Sequence, residues 1–127
     1  MQPAHDAGDA ALALGHTTSG AEALAAHPAL AGARVVSAFN TVPSELIAAL
    51  AAGRRTPGGP PAVAYCGDDA ASKRAAEPLL RDAGFTPVDA GPLRAARELE
   101  PLGLLVARLA YAAGAVPALG YHFVTAV

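Results

Sequence analysis

The sequence predicts an α/β fold: a parallel sheet covered by helices. Three features carry that prediction. Short runs rich in β-branched or apolar residues alternate with longer segments of helical spacing. Those runs are too uniformly apolar to face water on one side, as strands buried beneath helices are. Proline- and glycine-rich stretches separate the elements. Apolar residues make up 53% and charged residues 16% of the 127-residue chain, which is enough for a packed core. Alanine supplies much of the apolar share and aromatics only 5%, so that core is expected to be thin.

Residues 1–15, rich in Ala, Asp and Gly, are expected to be poorly ordered, with residues 16–127 forming the folded part. Ser19 and Glu22 make an S-x-x-E capping box that opens a short helix to about His27, where Pro28 stops it. Arg34–Phe39 is the best strand, a compact β-branched run. Pro43 suits a first helical turn, and Leu46, Ile47 and Leu50 continue it to Gly53. Arg54–Pro61, RRTPGGPP, is the clearest loop. Ala62–Cys66 is a second strand. Asp69 caps a helix to about Ala83 that ends at Gly84, with Pro78 in local conflict inside it. Phe85–Val88 is a third strand. A long helix spans Leu93 to Ala113, with Leu99, Leu102, Val106 and Leu109 on one stripe. The tail from Gly120 is apolar and reads as a strand or a terminal helical turn.

The totals exclude several functions. A net charge of -2 without a clustered basic face argues against nucleic acid. No apolar run reaches the roughly 18 residues of a membrane span. Met1–Asp9 lacks the basic and apolar regions of a secretory signal, and a single cysteine, Cys66, cannot form an internal disulfide; the cytoplasm is the expected location. The four histidines are scattered without metal-ligand spacing, so no metal is expected. No serine lies in a G-x-S-x-G context.

Five segments resemble, in order, a known family. They are Leu14–Glu22 (LGHTTSGAE), Val36–Thr41 (VSAFNT), Gly67–Ala70 (GDDA), Val88–Leu93 (VDAGPL) and Ala96–Leu102 (ARELEPL). The family is the NADPH-dependent coenzyme F-420 reductases and their relatives, and the likeness runs from about Leu12 to about Tyr111. It implies a partial Rossmann-like parallel sheet with flanking helices, lacking the N-terminal dinucleotide-binding half. That half would carry a strand and a G-x-G-x-x-G turn, which holds the pyrophosphate at a helix N-terminus. No G-x-G-x-x-G occurs in this sequence. Ser37 stands where the family commonly has Lys, Glu98 where an aromatic residue is common, and Pro78 within a helix that is usually uninterrupted.

The resemblance implies hydride transfer between NADP(H) and a deazaflavin, coenzyme F-420, or a similar acceptor. Cofactors carry such chemistry while the protein aligns two flat rings, so no catalytic acid, base or nucleophile is expected. Asn40 and Thr41 follow a strand at its expected carboxyl edge, where ligands of open α/β sheets collect. An amide there suits the carboxamide of nicotinamide. The plain alternative is that both residues fix a turn and cap the next helix. His16, Thr17 and Thr18 lie beside a helix start and offer groups to a phosphate or to the deazaflavin, with capping as the alternative. Asp69 is read as a cap, because a phosphate at Gly67–Asp69 would face two carboxylates. Arg97 and Glu100 are spaced for an i,i+3 pair.

Two functions follow. One is an oxidoreductase represented by its distal half, inactive alone, with a homodimer or a separate nucleotide-binding half as partner. The other is a non-catalytic binding or dimerisation module, or a truncated gene product. A sheet cut through its middle leaves an apolar edge, so dimerisation or poor solubility is expected.

Overall fold

The computed structural model describes residues 18–113 and 116–126; the expectation for residues 1–15 lies outside them. Helix α1 is Gly20–Ala25. Ser19 Oγ accepts from the Glu22 amide at 3.1 Å and Glu22 Oε1 accepts from the Ser19 amide at 3.0 Å, the reciprocal box that S-x-x-E predicts. Only Val36–Ser37 of the expected Arg34–Phe39 strand pairs, as β1. Phe39, at φ 67°, turns the chain away from the sheet. Helix α2, Ser44–Ala51, starts directly after Pro43. The Arg54–Pro61 segment is a loop, and β2 is Ala62–Gly67.

Helix α3, Ala70–Asp82, is capped by Asp69 Oδ2, which accepts from the Ser72 amide at 2.8 Å. Pro78 does not end it. Pro78 and Arg74 are both exposed, so the carbonyl left without its i+4 partner faces water. Strand β3 is Thr86–Asp89. A short 3-10 turn, Leu93–Ala95, leads into α4, Ala96–Ala107, which continues as a π-helical stretch over Arg108–Ala113. The expected Leu93–Ala113 helix is therefore one uninterrupted run of three helical forms.

The sheet order is β1-β2-β3. Strands β2 and β3 are parallel, joined through α3, with Ala62 opposite Thr86 and Tyr65 opposite Asp89. Strand β1 runs antiparallel to β2, with Val36 opposite Gly67 and Ser37 opposite Cys66. This corrects the expectation of a wholly parallel sheet. An apolar run reads the same in either direction, and a two-residue bridge carries no direction in its pattern. The α/β fold with flanking helices stands.

Every residue of β2 is buried. Its alternation sorts the core onto two faces. Val63 and Tyr65 pack with Val42, Leu46, Leu80 and Phe85. Ala64 and Cys66 pack with Leu93, Ala96 and Leu99. Small side chains on the second face admit α4 close to the sheet, which is how an alanine-rich chain closes a thin core. At β3, Thr86 and Ala90 donate inward to the Pro61 and Tyr65 carbonyls at 2.8 Å each. The alternate residues, Pro87 and Asp89, therefore face the strand's outer edge.

The tail is neither strand nor helical turn. The Tyr121 carbonyl accepts from the Ala62 amide at 2.8 Å, and its hydroxyl accepts from the Ala64 amide at 3.2 Å. Both amides point to the side of β2 that two-residue β1 is too short to reach. One tyrosine thus supplies the two acceptors that a longer neighbouring strand would have offered.

Candidate functional site: a cleft between the Asn40 turn and helix α4

After β1 the chain makes a tight turn, closed by the Val42 amide donating to the Phe39 carbonyl at 3.3 Å. Asn40 is exposed at this turn, and its Nδ2 donates to the Leu99 carbonyl at 3.0 Å. That carbonyl only accepts, so one of the two Nδ2 N–H groups is committed and the amide is oriented with Oδ1 remaining as acceptor. Thr41 is fully buried, and its Oγ1 lies 2.6 Å from the Tyr121 hydroxyl. Helix α4 crosses against the turn at Gly103. A β-carbon there would stand 2.5 Å from the Asn40 carbonyl oxygen, so only glycine permits this approach.

Turn, α2 start and α4 enclose a cleft of about 210 Å³. Asn40, Thr41 and Ser44 supply its polar lining, and Val42, Pro43, Val106 and Ala107 its apolar walls. Tyr111 also lines it and donates its hydroxyl to Glu45 Oε1. That hydrogen bond holds the Glu45 carboxyl below its ordinary value and the Tyr111 phenol above its own. No cation is among the lining residues. The cleft therefore offers an amide and hydroxyls beside apolar walls, and no side-chain cation to a phosphate.

Asn40 and Thr41 do not sit where the sequence argument put them. They follow the C-terminal end of β1, but β1 is reversed, so beyond Ser37, which stands opposite Cys66, the chain heads toward the amino-terminal end of β2. The carboxyl edge of β2 and β3 is elsewhere, and its acids are occupied. Asp68 accepts from the Leu93 amide at 2.9 Å. Asp69 caps α3 and lies 3.4 Å from Arg34. Asp89 pairs with Lys73 at 2.8 Å, which holds its carboxyl below the usual range.

His16 and Thr17 lie outside the described residues. Thr18 is exposed beside α1, and the capping oxygen there is that of Ser19. The amides of Gly20 and Ala21, which a phosphate would need, donate instead to Glu100 at 2.9 and 3.1 Å. Glu100 is thus not paired with Arg97, correcting the i,i+3 reading. Arg97 binds Glu22 through two hydrogen bonds of 2.9 and 3.0 Å. Helical spacing cannot show that a carboxylate is captured by the start of another helix. Consecutive residues of α4, Leu99 and Glu100, hold both loops that the sequence singled out, without merging them into one site.

Sequence reasoning missed Gly103, Glu100 and Tyr121. A lone glycine inside an apolar helix is a signal for close packing and would have located Gly103. Tyr121 had no local signal. Among the described residues, no three His, Cys, Asp or Glu side chains gather as a metal site, and no helix is long and apolar enough to cross a membrane.

No protein-family model matches the chain. Its fold matches the crystal structure of a protein described as a candidate F420-dependent NADP-reductase from Arthrobacter sp. FB24. The TM-score is 0.71 at 28% sequence identity, over 87% of this chain and 48% of that one. In fold and in sequence, this chain is similar to the NADP-reductases that its five motifs resemble. It is also 43% identical, over 95 residues, to Metalloreductase STEAP3 of Rattus norvegicus, covering 72% of this chain and 18% of that protein. The reductase-like chain thus spans about half the length of one relative and less than a fifth of the other. The residues that build the cleft, Asn40 to Ser44 and Gly103 to Tyr111, belong to the motifs or follow them directly.

Proposed function

We propose that this chain is the nicotinamide- and acceptor-facing part of an NADP-dependent oxidoreductase that moves hydride between NADP(H) and a deazaflavin or similar acceptor. The observation that carries the reading is the cation-free cleft at Asn40, set in a reductase-like α/β fold. NADP(H), when bound, supplies the hydride. The chain's own residues bind and orient. Asn40 offers Oδ1 to a carboxamide N–H, Val42 and Val106 wall a flat ring, and the packed α4 start keeps the Asn40 amide from turning. Phosphate binding falls to a G-x-G-x-x-G-bearing half, whether on the same polypeptide or a separate one. The two relatives are named for different acceptors, F420 and a metal. The segment common to both therefore supports a role shared by reductases rather than the choice of acceptor.

The test is a chimaera in which residues 18–126 replace the matched portion of the Arthrobacter protein, assayed for NADPH-dependent F420 reduction. The chimaera is expected to turn over, and the 127-residue polypeptide alone is not. A folded chimaera that binds NADP yet fails to reduce F420 overturns the assigned acceptor. Turnover by the isolated polypeptide overturns the need for a glycine loop.

A second reading, a non-catalytic dimerisation module, is favoured by the apolar surface at the end of α4. Leu105 is 52% exposed, Leu109 43% and Tyr111 50%. Sedimentation of the wild type and Leu109→Glu decides it: this reading requires a dimer that the charge dissociates, and a monomeric wild type refutes it.

A further inference from the structure

The turn from Phe39 to Val42 is held mostly from outside itself. Phe39 occupies the left-handed region at φ 67°, which a bulky side chain rarely adopts. Such a conformation persists only where its surroundings over-determine it. The turn's own hydrogen bond is a long one, 3.3 Å from the Val42 amide to the Phe39 carbonyl. On one side α4 restrains it, through Leu99 and the close approach of Gly103. On the sheet side the restraint is the 2.6 Å bond between Thr41 and Tyr121.

We propose that Tyr121 is a positioning residue for the Asn40 cleft: its hydroxyl, anchored on the Ala64 amide, pins buried Thr41 and so fixes where the neighbouring Asn40 amide stands. The physical step is a satisfaction argument. Thr41 is 0% exposed, and its hydroxyl takes the Tyr121 oxygen as partner. Without that partner a buried hydroxyl is orphaned, which is costly enough to drive rearrangement. The least disruptive escape is for the turn to swing toward water, and Asn40 is peptide-bonded to Thr41. Tyr121 lies 80 positions from Thr41 yet is held in place independently of it, by its carbonyl on the Ala62 amide and by the packing of Gly120 against Leu46 and Pro61. It is a fixed post against which a strained turn is tied. The role of that turn in ligand binding rests on the function proposed above; its tethering does not.

The experiment uses NMR of the full chain, reading the Asn40 side-chain amide signals and hydrogen exchange of the Val42 amide. Tyr121→Phe is expected to shift the Asn40 signals and to speed Val42 exchange about tenfold, roughly the net worth of one hydrogen bond. Thr41→Ser keeps the hydroxyl and is expected to leave both unmoved. Leu93→Val destabilises the core from the carboxyl edge, and is expected to leave both unmoved. Unchanged Asn40 signals in Tyr121→Phe overturn the proposal, as does an equal shift in Leu93→Val. A parallel titration uses nicotinamide mononucleotide, which carries the carboxamide without the pyrophosphate. Its Kd is expected to rise about tenfold in Tyr121→Phe. If the wild type does not bind it through Asn40, the nicotinamide reading fails, while the signal comparison still decides the role of Tyr121.

Discussion

Replacing Gly103 by alanine sets two effects of opposite sign against each other. In a helix interior alanine is favoured over glycine by about 1 kcal/mol. The new β-carbon, however, would lie 2.5 Å from the Asn40 backbone oxygen and 3.4 Å from its Nδ2. An ordinary carbon–oxygen contact is about 3.3 Å, so turn and helix must separate by about 0.8 Å. The obstructing atom is backbone and cannot rotate away. The displacement also stretches the bond from Asn40 to the Leu99 carbonyl. Overpacking of this kind costs about 1–3 kcal/mol, and a weakened hydrogen bond adds about 1 kcal/mol. After the helix gain is deducted, Gly103→Ala is expected to destabilise by about 1–3 kcal/mol. For a domain of this size that lowers Tm by about 4–8 °C per kcal/mol. Urea unfolding followed by far-ultraviolet circular dichroism measures it, the denaturant slope staying constant. Gly20→Ala is the comparison, because its β-carbon would meet the Glu100 carboxylate at 3.3 Å, the far end of a flexible side chain. A Gly103→Ala midpoint equal to or above wild type would refute the claim that α4 is pressed against the Asn40 carbonyl.

Tyr121→Phe orphans the Ala64 amide and the Thr41 hydroxyl together and is expected to cost about 1–3 kcal/mol in urea unfolding; a cost below 0.5 kcal/mol, roughly a single exposed contact, would show that water replaces the phenol. The Glu22 carboxyl is held at about 2 rather than its ordinary 4.5, first by the Arg97 guanidinium and then by the Ser19 amide. A depressed carboxyl stabilises the fold above its unfolded value and loses that contribution as pH falls through the folded one. Wild-type and Arg97→Ala midpoints should therefore differ most above pH 4.5 and converge toward pH 2, and a gap of constant width would refute the pairing. Cys66 is 0% exposed, and burial pushes its thiol pKa up. A thiol reagent should label it only as fast as the chain unfolds, so rapid labelling under native conditions would contradict its place in the core.

The local elements were legible because their signals are local. Ser19 with Glu22, Asp69 before Ala70, and the RRTPGGPP loop each state a boundary within a few residues. The β2–β3 unit was legible because a crossover helix separates two apolar runs. Strand β1 was read too long and in the wrong direction, since nothing in Arg34–Phe39 announces that Phe39 will adopt a left-handed backbone. The site was half legible. Motif resemblance picked Asn40 and Thr41, and both line the cleft, Asn40 exposed and Thr41 buried with its hydroxyl on Tyr121. What fixes them, Leu99, Gly103 and Tyr121, lies 59 to 80 positions downstream. No periodicity reaches that far, because the pairing is decided by how α4 and the tail dock and not by any repeat along the chain.

Pro87 illustrates how one residue can govern assembly. It occupies the outward register of β3 and brings no N–H, and the next outward position, Asp89, brings a negative charge already engaged with Lys73. A foreign strand approaching that border finds no donor at one rung and a carboxylate at the next. Fibril-like extension past β3 is therefore blocked at its first rungs. Copies of this chain that meet at the β3 border are left with side-chain surfaces, so their union there should be reversible and sensitive to single charges rather than open-ended.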